Sequence, residues 1–349
     1  VPQDITFDIP FAPLISPDVD RARAHTVAWL CGHGLLRSEA GVAEYLSWDL
    51  ATAAAVTFPY SAGADLDLLL DFFSFAFLFD DQFDPAVADR QEAVAAVSRE
   101  MITIPFRPAG MPPQIDCPVT RGWVDVWARL SDGTSTTWRN RFSANWARFM
   151  AAHAEEGYAV AGGAAPTLEE YVEFRRRSVG IHHSLDAAEP GRGFEIPPQV
   201  AAHPLTSALR DAAADAIAFM NDIHSLEREE RRGDPHNLVT VLRRELRCSR
   251  ASAVEEAVRL TEARLAEVVR LMDAMPGLYG ELGLPARDRV AAEWGVEAVR
   301  NWIRGNHDWA VASGRYASAG PVCAPAVAYT DDLLTPLGRV PGVVRGLTA

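Results

Sequence analysis

A formal net charge of −14 on a 349-residue chain has the wrong sign for a general nucleic-acid binder. Hydrophobic content of 48% with 23% charged residues describes a globular protein rather than a disordered one. No apolar run reaches the roughly 18 residues of a membrane span, no basic-then-apolar leader is visible, and Cys31, Cys117, Cys248 and Cys323 lie too far apart for a metal pair, so a reduced cytoplasmic protein is expected. All 33 basic residues are arginine, a side chain suited to forked contacts with phosphate oxygens. An acidic protein that binds a polyanion needs divalent metal between the two.

In chain order, apolar periodicity and helix propensity predict helices over 18–36, 39–57, 65–84, 88–103, 119–131 and 135–158. Others are predicted over 168–188, 204–231, 236–246, 250–274 and 286–312, so the fold class is all-α. Breaks are expected where Pro and Gly gather: Pro105 to Pro118, Gly162 to Pro166, Pro190 to Pro198, Gly233 to Pro235 and Pro276 to Pro285. Thr167 followed by Glu170 forms a capping-box pattern. None of these breaks reads as an interdomain linker, so residues 1–349 are expected to form one domain. The tail after Ala317, rich in Gly, Pro and small residues, is expected to be mobile or to close over a site.

Leu66, Leu70, Phe73 and Phe77 make one helical face, and continuing that face leads to Asp80 and Asp84. Ordinary solvated acids lie opposite an apolar stripe; here they continue it. Three aspartates within Asp80-Asp81-Gln82-Phe83-Asp84, at a helix end where the dipole disfavours acids, call for a cation. Mg2+ suits the place, because it takes carboxylates together with substrate phosphates.

A second constellation lies in Asn221-Asp222-Ile223-His224-Ser225-Leu226-Glu227-Arg228-Glu229. Asn221, Ser225 and Glu229 recur every four residues and drift only roughly 40° per step, so an amide, a hydroxyl and a carboxylate share one face. Ala214, Ile217 and Ala218 lead into that triad with small apolar side chains. His182-His183 is read as structural, since adjacent helical residues diverge and no third ligand stands nearby in sequence.

The pair of motifs resembles the class I terpene synthase family, with its Asp-Asp-x-x-Asp and Asn-Asp-x-x-Ser-x-x-x-Glu patterns. Pro2-Gln3-Asp4 and Gly63-Ala64-Asp65-Leu66-Asp67-Leu68 are similar to openings found in its actinobacterial members. The resemblance implies a helical bundle around an apolar, dead-ended pocket, with three Mg2+ ions and an isoprenyl diphosphate substrate. It places metal on Asp80 and Asp84, and on Asn221, Ser225 and Glu229. It makes Arg175, which lies 46 residues before Asn221, the diphosphate sensor, with Arg228, Arg315 and Tyr316 as further diphosphate contacts. Val179 would turn its carbonyl into the pocket at a helix break eased by Gly180, with Ser178 linking it to Arg175. Phe73, Phe77 and Trp309 would face the carbocation.

Farnesyl diphosphate is the expected substrate. Geranylgeranyl diphosphate is the alternative, because relatives carry two adjacent aromatics where this chain has Phe77 preceded by Ala76, and a methyl in place of a ring leaves volume. A chain-elongating prenyltransferase would carry two aspartate-rich motifs, and a class II cyclase an Asp-x-Asp-Asp acid. A non-catalytic isoprenoid carrier would need neither motif. The assembly is left open, a homodimer being one form.

Overall fold

Segments rich in alanine, leucine, arginine and glutamate fold, in a computed structural model of the chain, into fourteen α-helices and no strand among the described residues, which are 4–80, 91–162, 166–232, 236–316 and 333–334. They are α1 Val19–Gly32, α2 Glu39–Ser47, α3 Leu50–Thr57, α4 Ala64–Asp80, α5 Gln91–Thr103, α6 Pro118–Leu130 and α7 Thr136–Gly162. There follow α8 Leu168–Ser178, α9 Ile181–Ala187, α10 Pro198–Ala201, α11 Pro204–Arg232, α12 Leu238–Glu245, α13 Arg250–Glu281 and α14 Ala286–Ala312. Asp84 and most of the tail after residue 316 lie outside the described residues. Leu333 and Leu334 are described and buried, and the backbone N–H of Val119 donates to the Leu333 carbonyl at 3.4 Å.

Three helices differ from expectation for local reasons. The predicted 39–57 helix divides at Asp49, which sits at φ 50° and accepts the N–H of Thr52, capping α3. The 168–188 helix divides at Gly180, whose φ of 75° a side chain would resist. In the opposite sense, α13 runs through Pro276 to Glu281, past the break expected there. A proline removes one ladder bond, at a cost of about 3 kcal/mol. Burial of Met275, Leu278 and Tyr279 on the same stretch offsets that cost.

The buried apolar residues form one continuous core. Helix α11 runs against α13 and α14 and meets α8, α9 and α12, while α4 packs between α1, α3 and α6. The stripe predicted on α4 is wider than four residues: Leu69, Phe72, Phe75, Leu78 and Phe79 are buried as well, as suits a central helix. Its two buried acids, Asp67 and Asp71, pair with neighbouring helices, Asp67 with Arg21 of α1 at 2.7 Å. Asp71 accepts from Thr26 at 2.7 Å and pairs with Arg129 at 2.9 Å, joining α1 and α6 to α4. Asp186 on α9 similarly takes Arg141 at 2.9 Å, Arg210 at 2.7 Å and Asn145 at 2.7 Å, binding α7 and α11. His183 is enclosed by Phe72, Phe142, Trp146 and Phe149, and His182 bonds Asp211 at 2.9 Å, so the histidine pair is structural.

Helix α14 approaches α3 closely at Gly305, where an added Cβ would meet the Val56 carbonyl carbon and oxygen at 2.7 Å. Backbone cannot yield as a side chain can, so Gly305→Ala should cost about 1–3 kcal/mol of stability in urea unfolding. Gly277→Ala, inside α13 with open space around it, should be neutral or stabilise by about 0.4–1 kcal/mol. Equal effects at the two positions would remove the close approach as the cause.

Candidate active site

The C-terminal part of α11 brings the second motif against α8, α12 and the short 3-10 turn Gly314–Tyr316 that follows α14. Arg175 anchors the cluster. It donates through Nε and Nη2 to Asp222 Oδ1 at 3.0 and 2.7 Å, through Nη2 to Asn221 Oδ1 at 2.9 Å, and through Nη1 to Ser178 at 3.3 Å. Burial alone would lower its pKa, but the Asp222 charge outweighs that and holds the guanidinium firmly protonated. Arginine has no acceptor, so the Asn221 atom facing it is the amide oxygen. The amide nitrogen therefore faces Tyr316 and donates to its hydroxyl at 2.8 Å.

Asp222, fully buried, also accepts the Tyr171 hydroxyl at 2.6 Å and the Leu238 N–H at 3.0 Å. Burial, and after it the Asp222 charge, push the Tyr171 hydroxyl well above its ordinary range. Arg176 is committed elsewhere, forked on Asp215 at 2.9 and 2.7 Å.

Ser225 Oγ is buried beside the Glu229 carboxylate yet makes no hydrogen bond of ordinary geometry. Burial first, and the Asp222 charge second, push Glu229 up to about 7, with Asn237 working the other way. The face thus carries an orphaned hydroxyl, a carboxylate short of positive charge and an amide oxygen. This mixed oxygen set fits a hard divalent cation. Among the described residues, no three histidines, cysteines or acids converge as a metal cluster, so the Asn/Ser/Glu pattern is the donor set available there.

Aromatic rings link the end of α4, which bears Asp80, to the second motif. Phe77, one turn before the exposed Asp80, meets Trp309 edge-on at 5.5 Å and lies 5.0 Å beneath the Arg315 guanidinium. Trp309 meets Tyr316 at 5.7 Å, and Tyr316 reaches Asn221. Arg315 also covers Trp48 at 4.4 Å. Burial raises the Tyr316 pKa, against the nearby Arg315 and Arg228 charges. One tier deeper, Phe73 touches Phe77 at 4.9 Å and Trp302 at 5.6 Å.

The helix break lies where the family resemblance implied it, inside the segment that periodicity predicted as the single helix 168–188. Val179 closes α8, its N–H donating to the Arg175 carbonyl at 2.9 Å, and Gly180, at φ 75°, interrupts the helix before α9. The N–H and hydroxyl of Ser184 return to the Gly180 carbonyl, and among the described residues no backbone N–H donates to that of Val179.

Sequence reasoning did not single out Asp222, Tyr171, Asn237 or Trp302. Trp302 was readable, lying seven residues and two helical turns before Trp309. Asn237 signals a helix start before Leu238, but its contact with Glu229 depends on tertiary folding.

Residues 71–267, more than half of the 349, match the family model for terpene synthase family 2, C-terminal metal binding. The 7-epi-alpha-eudesmol synthase ((2E,6E)-farnesyl diphosphate cyclizing) of Streptomyces viridochromogenes is 50% identical over 342 residues, covering 96% of this chain and 100% of that one. The (-)-beta-caryophyllene synthase ((2E,6E)-farnesyl diphosphate cyclizing) of Saccharothrix espanaensis is 37% identical over 343 residues, with 97% and 96% covered. The crystal structure of a-eudesmol synthase superposes with a TM-score of 0.84 at 49% identity, covering 89% of this chain and 100% of that one. With Asp80 and the Asn221–Glu229 motif set on one helical bundle and relatives aligned over nearly their whole length, the chain belongs to the terpene synthase family and is a class I terpene cyclase.

Proposed function

We propose that the chain ionises farnesyl diphosphate with Mg2+ and folds the resulting carbocation into a cyclic sesquiterpene, releasing pyrophosphate. The observation that carries this reading is the contact path from α4 to α11, Phe77 to Trp309 to Tyr316 to Asn221, which unites an aspartate-bearing helix end, an aromatic wall and the Asn/Ser/Glu face. The printed substrate of the eudesmol and caryophyllene synthase relatives supports the C15 chain length. The enzyme is cytoplasmic in this proposal, and residues 1–349 form one catalytic domain. The continuous core supports the single domain, and no helix among the described residues is long and apolar enough to cross a membrane.

Asp80 and Asp84 would hold metal on one side of the mouth; Asn221, Ser225 and Glu229 would hold it on the other, three ions in all. Bound there, Mg2+ would neutralise charge building on the departing diphosphate. Arg175, Arg228, Arg315 and Tyr316 would bind its oxygens, in a place where preorganised donors are most effective. In the resting chain Arg175 covers the Asn221 amide oxygen at 2.9 Å. Turning the guanidinium toward diphosphate uncovers that oxygen for a cation, so the two contacts favour each other. Ser178, between Arg175 and the Val179 break, would carry the same movement to the Val179 carbonyl. Phe77, Trp309 and Phe73 then face the cation with rings that attract it and cannot add to it.

The reaction is tested by offering C10, C15 and C20 diphosphates with and without Mg2+ and reading products by gas chromatography–mass spectrometry. Metal-dependent cyclic products from the C15 substrate are expected. Ala76 is half-buried on α4, and the same assay on Ala76→Phe tests the space beside it. A cyclised C20 product suppressed by that substitution would move the assignment to geranylgeranyl diphosphate; linear elongation with isopentenyl diphosphate would overturn cyclisation altogether.

Arg175→Lys should lower the rate of pyrophosphate release by about 100-fold or more, because an ammonium cannot fork across oxygens as the guanidinium does. A rate within a few-fold of the parent would remove Arg175 from the sensor role. Phe77→Ala should redirect products while slowing release by no more than roughly tenfold, the scale of a cation–π contact of about 1–2 kcal/mol. An unchanged product profile would return Phe77 to core packing.

A further inference from the structure

Asn237 precedes α12 and is fully buried. All its side-chain hydrogen-bonding groups are used. Oδ1 accepts the N–H of Val239 at 2.8 Å, capping the helix, and this fixes which way the amide faces. Nδ2 must therefore face the other way, where it donates to the Asp222 carbonyl at 2.6 Å and to Glu229 Oε2 at 2.7 Å. One amide thus joins the start of α12 to two points on α11 a little under two turns apart. The helix cap supplies the reason it cannot rotate, and the rigid amide holds one carboxylate oxygen of Glu229. The other oxygen is left free of Asn237, with Ser225 beside the carboxylate.

From this geometry we propose that Asn237 is a positioning residue for the metal-binding carboxylate. It fixes the rotamer of Glu229 by donating to Oε2, and so presents Oε1 to a divalent cation. The proposal rests on Glu229 being a metal ligand. Carboxylates that bind metal gain affinity when a neighbouring donor orients them, and losing that donor typically weakens binding about 10–100-fold.

Two substitutions separate this role from the cap. Aspartate and serine cap helices about as well as asparagine. Neither can donate to Glu229: Asn237→Asp replaces the N–H donor by an acceptor, and the Asn237→Ser hydroxyl is too short to span both contacts. The full-length chain would be titrated calorimetrically with Mg2+ in the presence of inorganic pyrophosphate, with thermal melting run alongside. The Mg2+ concentration giving half-maximal pyrophosphate binding should rise about 10–100-fold in both variants, measured below a melting temperature that falls because a buried donor is lost. Glu229→Gln should raise it too, and Asn237→Asp added to Glu229→Gln should bring little further loss, because both act through one carboxylate. If Asn237→Asp does not fold, Asn237→Ser decides. Parent-like Mg2+ dependence in a folded Asn237 variant, with Glu229→Gln impaired, would overturn the proposal; so would additive losses in the double variant. Parent-like dependence in Glu229→Gln itself would instead remove Glu229 as a ligand, and the premise with it.

Discussion

The Asp222 carboxylate lies fully buried at the meeting point of three helices and accepts from all the groups that could satisfy it: Nε and Nη2 of Arg175 and the hydroxyl of Tyr171 on α8, and the N–H of Leu238 at the start of α12. A carboxylate taken this far from water is tolerable only when it is paired and hydrogen-bonded, and removing one partner of such a pair commonly costs about 3–5 kcal/mol. Satisfying Asp222 therefore fixes the distance of α8 and α12 from α11. Everything else at the mouth follows from that spacing. Arg175 comes within 2.9 Å of Asn221, and Asn237 within 2.7 Å of Glu229.

The same carboxylate explains an imbalance on the motif face. Burial, and after it the Asp222 charge, push Glu229 up to about 7, and Ser225 Oγ lies beside that carboxylate without a hydrogen bond of ordinary geometry. Two carboxylates, Asp222 and Glu229, lie a little under two turns apart on one buried stretch of helix, and Arg175 is already engaged by Asp222. A divalent cation coordinated there would relieve both the repulsion and the orphaned hydroxyl. The stability of the bundle and the metal binding proposed at this face would thus share one electrostatic origin.

Periodicity made the long helices legible, because α11, α13 and α14 bury broad faces whose spacing survives in the sequence. The site was legible where it is linear: Asp80 on α4, the Asn221–Ser225–Glu229 ladder, and the glycine that breaks α8 from α9. What stayed hidden depends on contacts between distant segments. Asp222 stands beside Asn221 in every reading of the motif, yet nothing local shows that four donors from two other helices converge on it. Trp302 belongs to the aromatic wall only because Phe73 stands opposite on another helix. Pro276 misled for the reverse reason, since local chemistry says stop and the burial of Leu278 and Tyr279 says continue.

Division of labour along α11 follows from what its two halves are made of. Ala212, Ala213, Ala214, Ala216 and Ala218 are buried with almost no side chain to fill space, so neighbouring helices come close, and the buried Asp215 among them is taken up by Arg176 and Arg264. From Asn221 onward the same helix carries oxygen donors. A leaving group with dense negative charge needs the second environment, and a migrating carbocation needs the first, because a free hydroxyl or water would capture it. The aromatic contacts cross between them: Phe77 touches Arg315 at its upper edge and Phe73 below, and the Trp309 indole N–H is taken up by the Trp48 carbonyl at 2.8 Å. That last bond matters chemically. It occupies the polar corner of the ring with backbone and leaves its face, which attracts a cation without bonding to it, for the proposed pocket.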